Sequence, residues 1–452
     1  MELAEKLSKT KEILGKYPLC DRCLGRLLAA EKPEQGYKRL GEELKTKLLQ
    51  EAEDATDDSR ESSALLIKSL AETGFVPAQE AATRLGLPFE EKTCPICLGK
   101  LKDEVIETLA SEALRKISLY EFEDFLVGAY IPKHIASIEE RIFSEFNLVE
   151  PETLRKEITR DVGKRLESIL KKPVNFSTPE MLVLVDIFTA TAEAKAAPLY
   201  IFGHYLKLKP DIPQTPWYCS SCWGAGCERC GDTGRIYPDS VAEYICEPSM
   251  KLSGAIWYRF HAAGREDVDV IVEGAGRPFI VELIMPRRRV IPLDTLRHLI
   301  REYSGGRVDV ENLALASRKD IDLLKEVMEG AVKRYIATVE FEKPISPEDM
   351  KKVESMLRGT LIEQLTPVRV LRRRGERMRR KRIHNISAKI VDTHTAQFEI
   401  EAEGGLYVKE LIHGDSGRTR PSIAEIIDNA PGRITLRFLG VLKTLPLKKG
   451  ES

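Results

Sequence analysis

The chain has 452 residues, of which 31% are charged and 42% are hydrophobic, a composition typical of a folded protein with about two to four domains. No apolar run reaches the roughly 20 residues that a membrane helix needs, which argues against a transmembrane protein. Residues 1–17 are charged and helical in pattern, unlike a secretory signal, so we expect a cytoplasmic protein with no membrane partner.

The net charge of −1 hides a difference between the two parts of the chain. Residues 1–250 carry 33 basic and 42 acidic side chains, whereas residues 251–452 carry 37 and 29. An excess of positive charge in one part indicates contact with a polyanion such as nucleic acid, although an uneven solvated surface would give the same count.

Eight of the nine cysteines form four CxxC pairs. Each pair presents two thiolates to one ion, and two pairs complete the tetrahedral set that zinc prefers. Reduced thiol clusters or redox pairs are the alternative. Four thiolates leave no position for a reacting water, so we predict one or two structural zinc ions. The candidate ligands are Cys20, Cys23, Cys94 and Cys97 for one site, and Cys219, Cys222, Cys227 and Cys230 for the other.

The first half of the chain divides into three segments. Residues 1–100 are predicted to be helical around the first two CxxC pairs, with apolar residues at helical spacing. Residues 101–216 mix a helix, RKEITRDVGKRLESILKK, with the strands EMLVLVDIFTATAEA and PLYIFGHYLKL, an α+β pattern. Residues 217–239 form a CxxC-x4-CxxC knuckle, which we expect to act as a hinge.

Residues 240–452 are predicted to form an α+β domain with a large, mostly antiparallel sheet. The segment DVDVIVEGAGRPFIVELIMP predicts a hairpin that turns at residues 274–276. The segment SPEDMKKVESMLRG predicts a helix with Ser346 as its N-cap and Gly359 as its C-cap. The segment LYVKELIHGDSGRTRPSIAEIID predicts a strand, a loop and then a helix.

A strongly basic hairpin is predicted at residues 369–384, which hold nine Lys and Arg and one acid, with Gly375 at the centre. Together with Arg287, Arg288 and Arg289 it predicts a phosphate-binding surface, although a charge run is often only a solvated face. The candidate RNA-backbone contacts are Arg372, Arg373, Arg374, Arg377, Arg379, Arg380, Lys381 and Arg382.

The segment HAAGREDVDV places three carboxylates within four positions. If it is extended, Arg265, Asp267 and Asp269 share one face, and an Arg beside an Asp favours the ionised carboxylate that a nucleophile or general base requires. An ordinary exposed strand face is the alternative. A metal-dependent nuclease that uses Asp269 and Glu282 is a further alternative, but it lacks the Lys expected where Ile284 stands.

At GRED the chain resembles the pseudouridine synthases, and specifically the archaeal tRNA pseudouridine synthases of the Pus-ten family. The resemblance spans nearly the whole chain through blocks in the family's order. These blocks are CxxCLGR, CPICLG, IPQTPWYCSSC, HAAGREDVDV, GRPFIVEL, KRYIATVEF and GLYVKELIHGDSGRTRPS. Two blocks depart from the family pattern: residues 271–274, and the VELIMPRRR run after GRPF.

The resemblance implies roles for particular residues. Asp267 matches the catalytic Asp, and Arg265 matches its ion-pair partner. Tyr335 matches the Tyr that stacks on the target base and is a candidate to remove the C5 proton. Four further positions match the substrate pocket: Tyr407 and Val408 before the HGD motif, Lys409, which would steady the charge of Asp267, and Leu436 as an apolar wall.

The resemblance also implies a fold and an activity. The fold would be a zinc-knuckle and THUMP-like α+β region followed by a catalytic domain of the pseudouridine synthase fold. The activity would be isomerisation of uridine to pseudouridine at positions 54 and 55 of the TΨC arm of tRNA, without a catalytic cofactor. Whether Asp267 attacks the sugar or the base, or removes a proton, stays open. We expect tRNA as the partner, a monomer, and no protein partner. The alternative is a non-catalytic zinc-ribbon and THUMP protein that binds or chaperones tRNA.

Overall fold

The chain divides into two units, Met1–Ala197 and Pro198–Ser452. The structure is a computed structural model that describes residues 2–29, 31–54, 60–371 and 375–442, with only the backbone of 327–329. Within these ranges no helix combines the length and the apolar character that a membrane span requires. The division is coarser than the four segments predicted above, because the knuckle at 217–239 belongs to the second unit.

Helices form most of the first unit, followed by a three-stranded sheet in which β1 pairs with β2 in parallel and β2 pairs with β3 in antiparallel fashion. The apolar faces of α6 and α8 pack on this sheet. The predicted helical and α+β patterns are therefore confirmed. The elements are α1 (Leu3–Leu14), α2 (Asp21–Leu28), α3 (Gly36–Glu53), α4 (Arg60–Glu72), α5 (Val76–Arg84), α6 (Asp103–Ile117), β1 (Phe125–Ala129), α7 (Lys133–Glu145), α8 (Leu154–Leu170), β2 (Met181–Asp186) and β3 (Thr191–Ala196).

A ten-stranded sheet organises the second unit, and the predicted large, mostly antiparallel sheet is confirmed. Its elements are β4 (Leu199–Lys207), α9 (Val241–Ser253), β5 (Trp257–Ala262), β6 (Ile271–Ile284), α10 (Leu293–Tyr303), β7 (Val308–Ala316), α11 (Arg318–Glu329), β8 (Val332–Phe341), α12 (Pro347–Leu357), β9 (Leu361–Leu365), β10 (Met378–Ile390), β11 (Thr395–Glu403), α13 (Val408–His413), β12 (Thr419–Arg420), α14 (Ile423–Ile427) and β13 (Pro431–Val441).

The strand order is β12-β9-β10-β11-β8-β13-β6-β4-β7, and β5 pairs with β6 outside this path. The pair β13–β6 is parallel, and the other pairings of this sheet within the described residues are antiparallel. Strand β4, which we grouped with the middle segment, thus pairs inside this sheet with β6 and β7.

The hairpin predicted at residues 274–276 is wrong. Residues 271–284 form one strand, β6, whose pairing with β4 shifts between Val272 and Arg277. Gly274 and Gly276 have φ of +65° and +71°, which a turn or a bulge would both use, and here they form a bulge. The hairpin is instead β5–β6, and its connection is the acidic segment at residues 263–270.

Two other local predictions need correction. The LYVKELIHG run, predicted as a strand, forms the helix α13, which ends at Gly414 with φ +77°. A short apolar run fits a buried helical turn as well as a strand, so its periodicity could not decide. Ser346 caps α12 as predicted, but the C-cap is Arg358, and the predicted Gly359 follows it with φ +74°.

Candidate active site

The acidic loop, residues 263–270, connects the end of β5 to the start of β6. It turns at Gly264, where φ is +78°, and again where the Val270 amide donates to the Asp267 carbonyl oxygen at 3.1 Å. The segment is therefore not extended, so the condition under which Arg265, Asp267 and Asp269 would share one face is not met. The Glu266 side chain is 3% exposed, that of Asp267 is 37% exposed and that of Asp269 is 53% exposed.

Glu266 is the centre of a buried charge cluster beneath this loop. Its carboxylate lies 2.8 Å from Nε of Arg277 and 3.9 Å from Nζ of Lys207, and it accepts a hydrogen bond from the hydroxyl of Tyr205 at 2.7 Å. Arg277 and Lys207 are themselves almost fully buried. A buried carboxylate is stable only when charges and donors compensate it, so these four side chains depend on one another.

The same side chains hold the loop backbone. Nζ of Lys207 donates to the carbonyl oxygens of Asp267 at 3.2 Å and Val268 at 2.9 Å. Arg277 donates to the Ala263 carbonyl oxygen at 2.8 Å, and Gln214 donates to the Gly264 carbonyl oxygen at the same distance. Four loop carbonyls are thereby fixed from β4, β6 and the segment after β4, which sets the direction in which Asp267 projects.

Asp267 forms an ion pair with Arg369, whose Nη1 lies 2.8 Å from its carboxylate. Arg369 sits in a short 3₁₀ turn at Val368–Val370 and also contacts the buried carboxylate of Glu410 through Nε at 2.6 Å. The expected partners of Asp267 are engaged elsewhere. The guanidinium of Arg265 lies 6.0 Å from the ring centre of Trp217, and Lys409 bonds to Asp269.

Lys409 also determines the ionisation of Asp269. Burial opposes ionisation of this carboxyl group, but the ammonium of Lys409 outweighs burial and leaves the pKa of Asp269 below its ordinary value. Both exposed acids of the loop therefore face a cation, but the cation at Asp267 is Arg369 rather than the predicted Arg265 or Lys409. Arg369 was counted in the basic hairpin and given no role at the site; it is separated from Asp267 by about a hundred residues, so spacing could not reveal the contact.

A cavity of about 700 Å³ opens beside the acidic loop. The predicted catalytic and substrate-pocket residues all line this cavity: Arg265, Asp267, Tyr335, Tyr407, Val408, Lys409 and Leu436. Tyr335 on β8 packs edge-to-face against Phe438 at 5.4 Å between ring centres, and burial raises its pKa. The cavity is also lined by Trp217, Glu266, Arg277 and Lys333, to which the sequence gave no role, and by Arg369 and Arg379 of the basic hairpin.

Residues 369–384 do not form a complete hairpin by themselves: residues 378–384 belong to β10, and the strand that pairs with them is β9, which ends before residue 369. The basic side chains of this segment have different surroundings. Arg379 lines the cavity, and its guanidinium lies 5.4 Å from the ring centre of Tyr407. Arg380 pairs with Glu363 at 2.9 Å, and Arg382 donates to the Gly359 carbonyl oxygen. Arg377 and Lys381 are the other described members, whereas Arg372, Arg373 and Arg374 lie outside the described residues.

Arg287, Arg288 and Arg289 do not adjoin this hairpin. They follow the end of β6, which is four strand steps from β10 in the sheet order. At about 4.8 Å per step, that separation is roughly 19 Å across the sheet. The single phosphate-binding surface that we predicted from these two basic runs is therefore divided between separate parts of the sheet.

The eight paired cysteines form two four-thiol clusters, in the combinations that the sequence predicted. Four sulfur atoms held tetrahedrally at 2.3 Å from zinc lie about 3.8 Å apart. The sulfur atoms of Cys20 and Cys97 are 3.6 Å apart, and those of Cys219 and Cys227 are 3.8 Å apart. Both clusters therefore fit a tetrahedral metal ion, one in each unit. Cys246 is buried in α9, outside both.

Comparison with known proteins places the chain in a family. The family model described as Pus10, C-terminal, matches residues 200–442, and the model for the archaeal Pus10 THUMP domain matches residues 109–186. The chain belongs to the Pus10 family. The first match includes the whole acidic loop and cavity, and the second lies inside the middle segment predicted as THUMP-like.

Curated relatives agree with these matches over nearly the full chain. A tRNA pseudouridine synthase Pus10 of Methanothrix thermoacetophila is 36% identical over 439 residues, covering 97% of this chain and 95% of that protein. That of Thermofilum pendens is 36% identical over 440 residues, covering 97% and 96%. That of Methanopyrus kandleri is 37% identical over 431 residues, covering 93% and 95%. The Pus10 resemblance inferred from the sequence blocks is thus confirmed.

Replacing Arg369 by Met tests whether its contacts with Asp267 and Glu410 stabilise the folded chain. The change leaves the buried Glu410 without its closest cation, so we expect the free energy of unfolding to fall by about 1–3 kcal/mol. The added change Glu410→Gln should restore part of that loss. Denaturant titration of both variants measures this. Arg380→Met, which breaks an exposed pair, is the control; a loss in Arg369→Met no larger than in this control would contradict the account.

Proposed function

We propose that the chain isomerises uridine to pseudouridine at positions 54 and 55 of the TΨC arm of tRNA, with Asp267 as the nucleophile or base. The observation that supports this most strongly is the cavity, which gathers Asp267, Tyr335, Lys409 and Leu436 in a chain of the Pus10 family. We further propose that it acts on tRNA in the cytoplasm as a monomer, without a protein partner; comigration of activity with a 51.0 kDa species would test this.

The size and lining of the cavity suit a nucleoside taken out of its stack. Enzymes that act on a base rotate it into a pocket, and a volume of about 700 Å³ lies within the usual range for a small ligand. In this proposal the target base stacks on Tyr335 and packs against Leu436. Tyr407, with Arg369 and Arg379 near its ring, forms the entrance.

Asp267 is the carboxylate with the geometry for the reaction. Glu266 is buried in ion pairs, and Asp269 is held by Lys409 on the exposed side of the loop. Asp267 is half-exposed, faces the cavity and has a fixed backbone. The C1′–N1 bond of uridine breaks, the base turns, and a C1′–C5 bond forms; the C5 proton is then lost and N1 gains a proton, so that the composition is unchanged. Asp267 would assist at the sugar, at the base, or by removing a proton, and Tyr335 is the candidate to take the C5 proton.

Asp267→Asn should reduce pseudouridine formation in a tRNA transcript by at least about 10³-fold, because an amide is neither a nucleophile nor a base here. Asp269→Asn is the matched control, since it changes the other exposed acid of the loop, and it should retain activity within about tenfold. Pseudouridine mapping at each position measures both. Equal losses in the two variants would contradict the role of Asp267, and an inactive wild-type chain would favour a non-catalytic tRNA-binding protein.

The basic hairpin is proposed to hold the RNA backbone through phosphate contacts. Replacing Arg377, Arg379, Arg380 and Arg382 by Gln should reduce the slope of log affinity against log salt by about 3, because each lost phosphate contact removes roughly 0.7–0.9. Filter binding of tRNA at several salt concentrations measures the slope. Lys351→Gln with Lys352→Gln on α12 is the control; a slope unchanged in the hairpin variant would exclude these contacts.

Each four-cysteine cluster is proposed to hold one structural zinc ion, which would link chain segments and take no part in the reaction. Metal analysis of the purified chain should give two zinc ions per molecule. Cys227→Ser should lose one of them, whereas Cys246→Ala, outside both clusters, should keep both. Fewer than one zinc ion per wild-type chain would contradict both assignments.

A further inference from the structure

Lys333 is a buried cation on the wall of the cavity to which the sequence gave no role. It lies on β8, two residues before Tyr335, and only 9% of it is exposed. Its side chain lines the cavity, and within the described residues its ammonium group has no hydrogen bond and no ion pair, so that the group is open only to the cavity. A charge is rarely buried without a partner, because leaving water costs several kcal/mol that nothing repays.

The position of the ammonium is fixed by its neighbours. Alternate residues of a strand project on one face, so Lys333 and Tyr335 point the same way, and both reach the cavity. A β-carbon placed on Gly264 would lie 3.2 Å from Nζ of Lys333, so the ammonium rests against the turn of the acidic loop. It therefore sits between the proposed base-stacking Tyr and the loop that carries Asp267.

The surrounding charges compensate Lys333 only in part, because Glu266 favours its charged form but is itself paired with two other cations. Lys207, Arg277 and Lys333 are three buried cations, and Glu266, the carboxylate among them, is paired with the first two. Asp267 is paired with Arg369. Burial, and then the nearby charges of Arg277 and Lys381, lower the pKa of Lys333 to about 8. The cavity wall thus carries excess positive charge that an anionic ligand would neutralise.

We propose that Lys333 is a catalytic residue that stabilises the negative charge on the uracil ring when the C1′–N1 bond breaks. The electron pair of that bond leaves with the base and spreads over N1 and the two carbonyl oxygens, and it returns to the sugar carbon through C5. If Asp267 instead adds to the base first, this addition also places negative charge on the uracil ring. This inference rests on the proposed function and adds to it a residue, Lys333, that stabilises the negative charge developing on the base.

The alternative anion is a phosphate of the same nucleotide, and the position of Lys333 favours the base. Lys333 is next to the proposed base-stacking Tyr335 on the same face of β8, two residues before it. Phosphates have candidate partners in the basic hairpin, where Arg377 and Arg380 are exposed. An exposed cation suits a backbone contact, whereas a buried one acts most strongly on charge that forms only during the reaction.

The test compares Lys333→Met and Lys333→Arg with the wild-type chain, using a full-length tRNA transcript. We expect Lys333→Met to lower kcat by roughly 100-fold with KM changed by less than about threefold, because the lost interaction forms mainly in the transition state. Lys333→Arg should retain activity within about tenfold. Arg334→Met, on the same strand but paired with Glu399 on β11, should leave both constants unchanged.

Thermal unfolding separates this role from a structural one. Met fills the space of the lysine stem without a charge, so the Tm of Lys333→Met should equal or exceed that of the wild type. A lower Tm together with an unchanged kcat would overturn the proposal. Charge neutralisation of the phosphates flanking the target, by methylphosphonate linkages in a ligated tRNA, identifies the anion. The Lys333→Met defect should persist with that RNA; its disappearance would assign Lys333 to phosphate instead and overturn the proposal.

The proposed function can fail separately. If the wild-type chain forms no pseudouridine, the proposed function and the role of Lys333 are both contradicted. If the wild-type chain is active, and Asp267→Asn abolishes activity but Lys333→Met does not, only the role of Lys333 is contradicted.

Discussion

The ion pair between Glu266 and Arg277, deep beneath the acidic loop, is the interaction on which the site depends. It allows Arg277 and Lys207 to be buried, and these two cations in turn hold the loop carbonyls. The loop has no regular secondary structure of its own, so without these bonds its backbone would have many conformations. The position of Asp267 at the cavity therefore depends on side chains that are themselves almost fully buried.

The site is consequently built in two layers. Buried charges in the lower layer fix the backbone, and more exposed groups in the upper layer, including Asp267, Arg369 and Lys409, line the cavity. This division explains why the acids of one short segment differ so much in exposure. Such pre-organisation lets charged groups act without rearranging during the reaction.

Much of the architecture could be read from the sequence because its signals are local. The CxxC spacing predicted both thiol clusters, helical periodicity predicted α8, and Ser346 predicted the start of α12. The predictions failed where one local pattern fits two structures. Glycines 274 and 276 suit a hairpin turn or a bulge, and the short apolar run at 406–413 suits a strand or a helix.

The structure brings the predicted site residues to one cavity, but it gives Asp267 a different ion-pair partner from the predicted one. Sequence blocks supplied Asp267, Tyr335, Lys409 and Leu436, and the cavity gathers them. The ion pairs join positions far apart in the chain, and Arg369 lies on a connection whose course no spacing rule could give. The charge count was also incomplete as a guide to RNA contacts, because Lys207, Arg277 and Lys333 are cations of a buried cluster rather than of the surface.

The most direct measurement is a structure of the chain bound to a tRNA that carries 5-fluorouridine at position 55. The account predicts that this base leaves its stack and enters the cavity, with its ring on Tyr335 and its sugar beside the carboxylate of Asp267. A base that stays stacked in the RNA, or that binds outside the cavity with Asp267 still paired to Arg369, would contradict it.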